Sequence, residues 1–256
     1  MSVIHPTAII GKNVSLGENV TIGPYAVIED TVVIGNGCLI DSHATIHSYV
    51  EMSENNHIFS YADIGGPPQD IHFSGEETWV KIGSNNTFRE YSTIHRATSP
   101  ERKTTVGDNN YFMGSTHIAH DCIVGNYVII ANYTPIAGFV EVEDRAFISG
   151  GASVHQFCHI GTMCMIGGGT VINQDVLPYS LVQGNPAKVY GLNIVGLRRN
   201  NMDSTTRLAL KKVIDYISKR ETLAGALEII KNEFPTIPEA MHIVEFIERS
   251  KRGFVD

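Results

Sequence analysis

This sequence predicts a mainly β fold: a parallel β-helix of six-residue repeats over residues 1–186, followed by a small α-helical domain over 187–256. Three observations carry that prediction. First, 26 large apolar residues share one six-residue phase, running from Ile4 to Ile64, through Ile82, Phe88 and Ile94, and from Val106 to Ile172. The phase fails only at Asp70, Glu76 and Pro100. Second, four residues after each of these comes a position that is usually small or β-branched, such as Ala8, Val14, Val50, Thr134 and Ala152, and Cys38, Cys122, Cys158 and Cys164 all stand in that column. Third, the hexads stop after Pro186 and apolar residues recur at helical spacing.

A period of six suits neither the 3.6 of a helix nor one long strand of period two; it suits short flat strands joined by repeated corners. Gly, Asn and Asp between the apolar positions, as in Gly11 and Asn13 or Gly107 and Asn109, tolerate the left-handed backbone such corners require. Interruptions near 65–81 and 99–105 read as external loops, free of core constraints and available for function. Ser204 is placed to cap a helix through Leu208, Val213 and Ile217. Leu223, Leu227 and Ile230 mark a second helix, and Pro238 begins a third through Ile243, Phe246 and Ile247. The repeat resembles that of the hexapeptide-repeat proteins, whose three strands per turn build a left-handed triangular prism. The hand is taken from that resemblance, since parallel crossovers are otherwise right-handed. Residues three hexads apart then stack at one strand spacing, about 4.8 Å.

The chain has 256 residues with 43% hydrophobic content, enough for a sizeable core. No basic segment followed by an apolar stretch opens it and no apolar run is long enough to span a bilayer, so a cytoplasmic location is expected, with no transmembrane segment. The cysteines show neither CxxC pairing nor zinc-ribbon spacing; small hydrophobes filling a narrow core is their expected role. Net charge is −8, but residues 187–256 hold 12 Lys and Arg against 9 Asp and Glu, a local excess that can attract an acidic partner. No nucleic-acid partner is expected.

The densest polar signals are Thr116 to Cys122 and Val154 to Phe157. Stacking places His120 two coils from Gln156 with Gly138 between them, His155 in the neighbouring column, and Asp121 in one column with Phe139 and Phe157. All are expected to project outward on one prism face, with His117 near the same corner. A histidine beside a carboxylate suits general-base work, and a glycine lets a backbone N–H approach a reacting carbonyl.

His95-Arg96, His117 to Cys122, His155 to Cys158, Gln183 to Asn185 and Gly191 to Arg199 together resemble the UDP-N-acetylglucosamine O-acyltransferase family of hexapeptide acyltransferases. The likeness covers essentially the whole chain. It implies a homotrimer with active sites between prisms, using no cofactor and no metal. It also implies acyl carrier protein as donor of a β-hydroxyacyl thioester and UDP-N-acetylglucosamine as acceptor, in the first step of lipid A assembly. His120 would be the general base, Asp121 its orienting partner and the Gly138 amide the oxyanion donor. Gln69, Asp70, His117, His155 and Gln156 would line the acceptor cleft, Asn193 and Arg199 would hold the nucleotide and its phosphates, and Gly168 would leave room in the acyl-chain groove. Exposed Arg and Lys side chains of the helical domain are expected to dock the carrier protein.

The chain departs from the family at Phe139, where a sugar-contacting histidine is common, at Val195 in place of a glutamate, and at Asn200 in place of a second basic residue. A 3-amino analogue of the sugar would fit the same scaffold, and another hexapeptide acyltransferase is the nearer alternative. A γ-type carbonic anhydrase, with zinc held by three histidines, does not match the HxxH spacing or the helical tail. A purely structural prism would leave the outward cluster without a role.

Overall fold

A computed structural model describes all residues, 1–256. Its short parallel strands form three sheets, each strand pairing with the third one after it. The first face runs from Val3–Ile4 to Ser180–Gln183, the second from Ile9–Ile10 to Val171–Ile172, and the third from Val14–Leu16 to His159–Ile160. The hexad phase is the register itself: Ile4 pairs with Ile22, Ile22 with Ile40, Ile28 with Ile46, and Ile34 with Met52. Stacking these residues up the axis buries a single cluster of 41 residues, in which all four cysteines are fully buried. The first coil is open at the end of the prism, which leaves Ile4 45% exposed although it is in phase.

Corner chemistry follows the Gly, Asn and Asp pattern on one edge, where Asn19, Gly37, Asn55, Asn85 and Asn109 hold the left-handed position, and departs from it on the other two, where aromatic residues predominate. The left-handed corner position is held by Tyr25, His43, Tyr61 and Tyr91 on one edge and by Tyr49, Asp121, Phe139 and Phe157 on another, with φ between 58° and 69°. Such residues normally resist this conformation. Several of these corners are held by a hydrogen bond from their own N–H to the coil before, as in Tyr49 N–H to Thr31 O at 3.0 Å, Phe139 N–H to His120 O at 3.1 Å and Tyr25 N–H to Thr7 Oγ1 at 3.1 Å. The side chains also stack on one another, Tyr25 on His43 at 5.1 Å and Tyr61 on Tyr91 at 5.2 Å.

Two excursions leave the prism, both at the corner between the second and third faces: residues 67–78 and residues 96–102. Their roots lengthen the flanking strands to Asp63–Gly66, Trp79–Ile82 and Lys103–Val106. Register survives them, with Ile64 paired to Ile94 and Ile94 to Ile118.

Beyond the last coil the chain turns back as a strand, Lys188–Leu192, antiparallel to Ser180–Gln183, where sequence spacing alone suggested only helices. Four helices follow: α1 (Ile194–Arg199), α2 (Ser204–Ser218), α3 (Leu223–Glu233) and α4 (Pro238–Arg249). Ser204 is the first helical residue and not the cap; Asp203 caps α2, its carboxylate accepting from Thr206 N–H at 2.9 Å. Leu208, read as core-facing, is 64% exposed, and α2 instead buries Leu210, Val213, Ile214 and Ile217. These join Leu177, Leu197 and Phe246 in a second core of 16 buried residues. Glu143, on the prism, pins α4 by pairing with His242 at 3.1 Å and with Arg249, while also accepting from Thr162 N–H at 2.8 Å.

Candidate active site

The corner between the second and third faces carries most of the predicted site in successive storeys. From one end these are the 67–78 excursion with Gln69 and Asp70, then His95 and the 96–102 excursion, then His120 and Asp121, then Gly138 and Phe139, and then Gln156 and Phe157. Backbone bonds lock the last three storeys together, Phe139 N–H to His120 O and Phe157 N–H to Gly138 O, each at 3.1 Å. His117 and His155 flank that corner on the second face.

His120 and Asp121 are joined by a hydrogen bond of 2.8 Å between Nδ1 and a carboxylate oxygen. One expectation needs correction: Asp121 does not project outward. Its side chain is only 1% exposed, because the 96–102 excursion folds over it. Thr98 donates to it from both N–H and Oγ1, the latter at 2.8 Å, and Thr104 Oγ1 accepts from the Asp121 N–H at 2.8 Å. Burial alone would raise the Asp121 pKa, but the bonds from His120 and Thr98 outweigh it and hold the carboxyl below its ordinary range. The anion is thus fixed under the imidazole, and the His120 Nε2 is left for other work.

The ring of His120 lies against the bare backbone of Gly138, so closely that a Cβ at 138 would sit 2.5 Å from Cε1 and 2.8 Å from Nε2. The Gly138 N–H makes no hydrogen bond within the chain. Phe139 packs edge-on to His120 at 5.2 Å, stacks on Phe157 at 4.7 Å, and is covered by the Arg102 guanidinium at 4.9 Å. One storey back, His117 is held by Thr93 Oγ1 at 2.7 Å and meets His95 edge-on at 4.9 Å. Burial and neighbouring imidazoles push His117 down and His95 to about 4, and the buried His95 Nδ1 has no partner. His155 and Gln156 are exposed.

The other predicted residues lie elsewhere on the same chain. Asn193 and Arg199 border a cleft of about 950 Å³ on the first face, with Tyr111, Phe147, Met165 and Leu181 as its floor. Asn193 is largely committed, capping α1 through Gly196 N–H at 3.0 Å and donating to Met163 O at 2.8 Å. Asn200 accepts from Arg145 at 2.8 Å, and Val195 is 60% exposed. Gly168 stands at the corner between the first and second faces, where a Cβ would touch only Gly150 O at 3.4 Å. Thr98 and Arg102 were missed because the excursion that holds them lacks the hexad period, and Thr104, on the strand at its return, has no signal beyond proximity to the phase gap.

A buried carboxylate holding an imidazole beside an open amide, at one corner of a prism of six-residue repeats, suits proton transfer in a hexapeptide-repeat transferase. The model of the bacterial transferase hexapeptide repeat matches residues 13–48 and 103–138, and that of UDP-N-acetylglucosamine O-acyltransferase, domain 2, matches 175–255. An acyl-[acyl-carrier-protein]–UDP-N-acetylglucosamine O-acyltransferase of Thermodesulfovibrio yellowstonii is 47% identical, covering 99% of both chains. The solved UDP-N-acetylglucosamine acyltransferase of Francisella novicida superposes with a TM-score of 0.96 at 34% identity, over 99% of this chain and 94% of that one. That of Bacteroides fragilis does so at 0.96 and 38%, over 98% and 99%. The chain belongs to the UDP-N-acetylglucosamine O-acyltransferase family, and its β-helix is left-handed.

Proposed function

We propose that this enzyme transfers a β-hydroxyacyl chain from acyl carrier protein to the 3-hydroxyl of UDP-N-acetylglucosamine, the first step of lipid A assembly, with His120 as general base. The observation that carries the mechanism is the His120–Asp121 bond of 2.8 Å above the unpartnered Gly138 amide. With Nδ1–H donated to Asp121, Nε2 takes the proton of the sugar hydroxyl as its oxygen attacks the thioester carbonyl. The oxyanion forms opposite the Gly138 N–H. Collapse breaks the carbon–sulfur bond, and the carrier thiolate recovers the proton from the imidazolium, which Asp121 has stabilised meanwhile. No cofactor enters this scheme.

Gln69 and Asp70, with His117, His155 and Gln156, take the sugar; Asn193 and Arg199 take the nucleotide. These two sets sit on different faces of one prism, which supports a closed trimer in which one protomer's base faces the first-face cleft of the next. Gly168 keeps the acyl path open. Arg198, Arg199, Lys211, Lys212 and Lys219 are exposed beside that cleft or on α2 and suit an acidic carrier protein. No helix is long and apolar enough to cross a membrane, and the reading has the enzyme act in the cytoplasm. Phe139 offers no hydrogen bond to the acceptor, so the 3-amino sugar remains the second reading. Purified protein is assayed with β-hydroxyacyl carrier proteins of several lengths and both sugars. Ester formation supports the leading reading, amide formation alone selects the second, and failure with both sugars overturns the proposal.

A further inference from the structure

We propose that Arg96 is a positioning residue for the acceptor, holding the 67–78 excursion, and with it Gln69 and Asp70, at the corner where His120 stands. The inference rests on the reading that Gln69 and Asp70 contact the sugar. That excursion has no regular structure of its own. Its internal hydrogen bonds are short-range, such as His72 N–H to the Asp70 carboxylate at 2.8 Å and Ser74 N–H to Glu76 at 2.9 Å. A single hydrogen bond joins residues 67–78 to the rest of the chain, from the Arg96 guanidinium to Glu76 O at 3.4 Å.

The same guanidinium lies between two aromatic faces, 5.2 Å from the ring centre of Phe73 on the excursion and 5.2 Å from that of Tyr49 on the prism. Tyr49 is itself braced edge-on by Trp79 at the excursion's return, at 5.6 Å. The Arg96 backbone N–H closes the root by donating to Gly66 O at 3.0 Å. Arg96 thus touches the root at Gly66 and the body of the excursion at Phe73 and Glu76, and is linked to its return through Tyr49 and Trp79. Two residues later, Thr98 grips Asp121, so one short segment sets both the sugar-binding excursion and the partner of the base. Cation–π contact of this partly buried kind is lost when the charge is removed, even if the side-chain volume is kept.

The test uses the full-length protein and steady-state kinetics with each substrate varied in turn. Arg96→Met should raise the KM for UDP-N-acetylglucosamine about tenfold, equivalent to ~1.4 kcal/mol. The KM for the acyl carrier protein thioester and the melting temperature should stay unchanged. Arg96→Lys should recover part of the loss. Phe73→Leu, on the excursion itself, should shift the acceptor KM in the same direction and decides the matter if Arg96→Met proves unstable. An unchanged acceptor KM in Arg96→Met and Phe73→Leu, while Asp70→Ala raises it, overturns the proposal alone. If Asp70→Ala and Gln69→Ala are also without effect, the acceptor reading beneath it falls as well.

Discussion

Gly138→Ala isolates the placement of the base from every other contribution. Gly138 lies outside the left-handed region, so alanine suits its backbone, and alanine keeps the N–H assigned to the oxyanion. What alanine adds is a methyl group 2.5 Å from His120 Cε1. Ordinary contact begins near 3.4 Å, so the ring has to retreat by about 0.9 Å, stretching the 2.8 Å bond to Asp121. A displacement of about 1 Å at a reacting group costs roughly 100-fold in rate, or ~2.7 kcal/mol of barrier. The expected result is kcat reduced about 100-fold with the fold intact, read from initial rates alongside a melting curve. A Gly138→Ala enzyme within about threefold of the parent rate would refute the argument, since the crowded ring would then not be the catalytic one.

His120→Ala should lose roughly 10²–10⁴ in kcat while melting like the parent protein. Equal amounts of His120→Ala and Arg199→Ala, unfolded and refolded together, should regain about a quarter of parental activity if each site pairs the base of one protomer with the arginine of the next in a closed ring. No recovery above the separate mutants would count against a shared site. His95, with its pKa pushed down to about 4 by burial and neighbouring imidazoles, is neutral in the folded protein but titrates near 6.5 once unfolded. The unfolded chain therefore binds the extra proton, and stability should fall between pH 6.5 and 4 by up to about 3 kcal/mol. Denaturation of His95→Gln across that range should show a flatter profile. Glu143→Gln should loosen α4, because it removes the carboxylate that His242 and Arg249 share; with Arg249 half exposed, a loss of about 1–2 kcal/mol in urea is expected.

The fold was legible because period and register are one quantity in a β-helix: Ile22, Ile40 and Ile58 reveal both at once. The same rule predicted that His120, Gly138 and Gln156 rise in one column, and the proposed base and oxyanion donor both stand in it. Where the period lapses, so does the reading. Thr98 over Asp121 and Arg96 between Tyr49 and Phe73 are contacts of excursions whose path is set by tertiary packing, so Asp121 was expected outside and lies inside. The cap of α2 was misread by one residue because Asp203 and Ser204 are both good caps. Leu208 was assigned to the core from spacing alone, although the face α2 buries is chosen by Leu177 and Phe246. The strand Lys188–Leu192 follows the end of the hexads and has no partner that spacing could disclose.

The column of buried thiols has a consequence for an enzyme whose donor is a thioester. Cys122 directly follows Asp121 in the chain, beside the very base that would activate a nucleophile. Yet its Sγ donates inward to Ala137 O at 3.1 Å, and burial raises its pKa to about 12. Cys158 is raised to about 11, and Cys38 and Cys164 are raised as well, all by burial. Burial thus keeps these thiols protonated at neutral pH. With all four thiols fully buried, none is placed to compete for the incoming acyl chain, and the enzyme incubated with donor alone is expected to stay unacylated. Thiol-directed alkylating agents should find no handle on the folded protein.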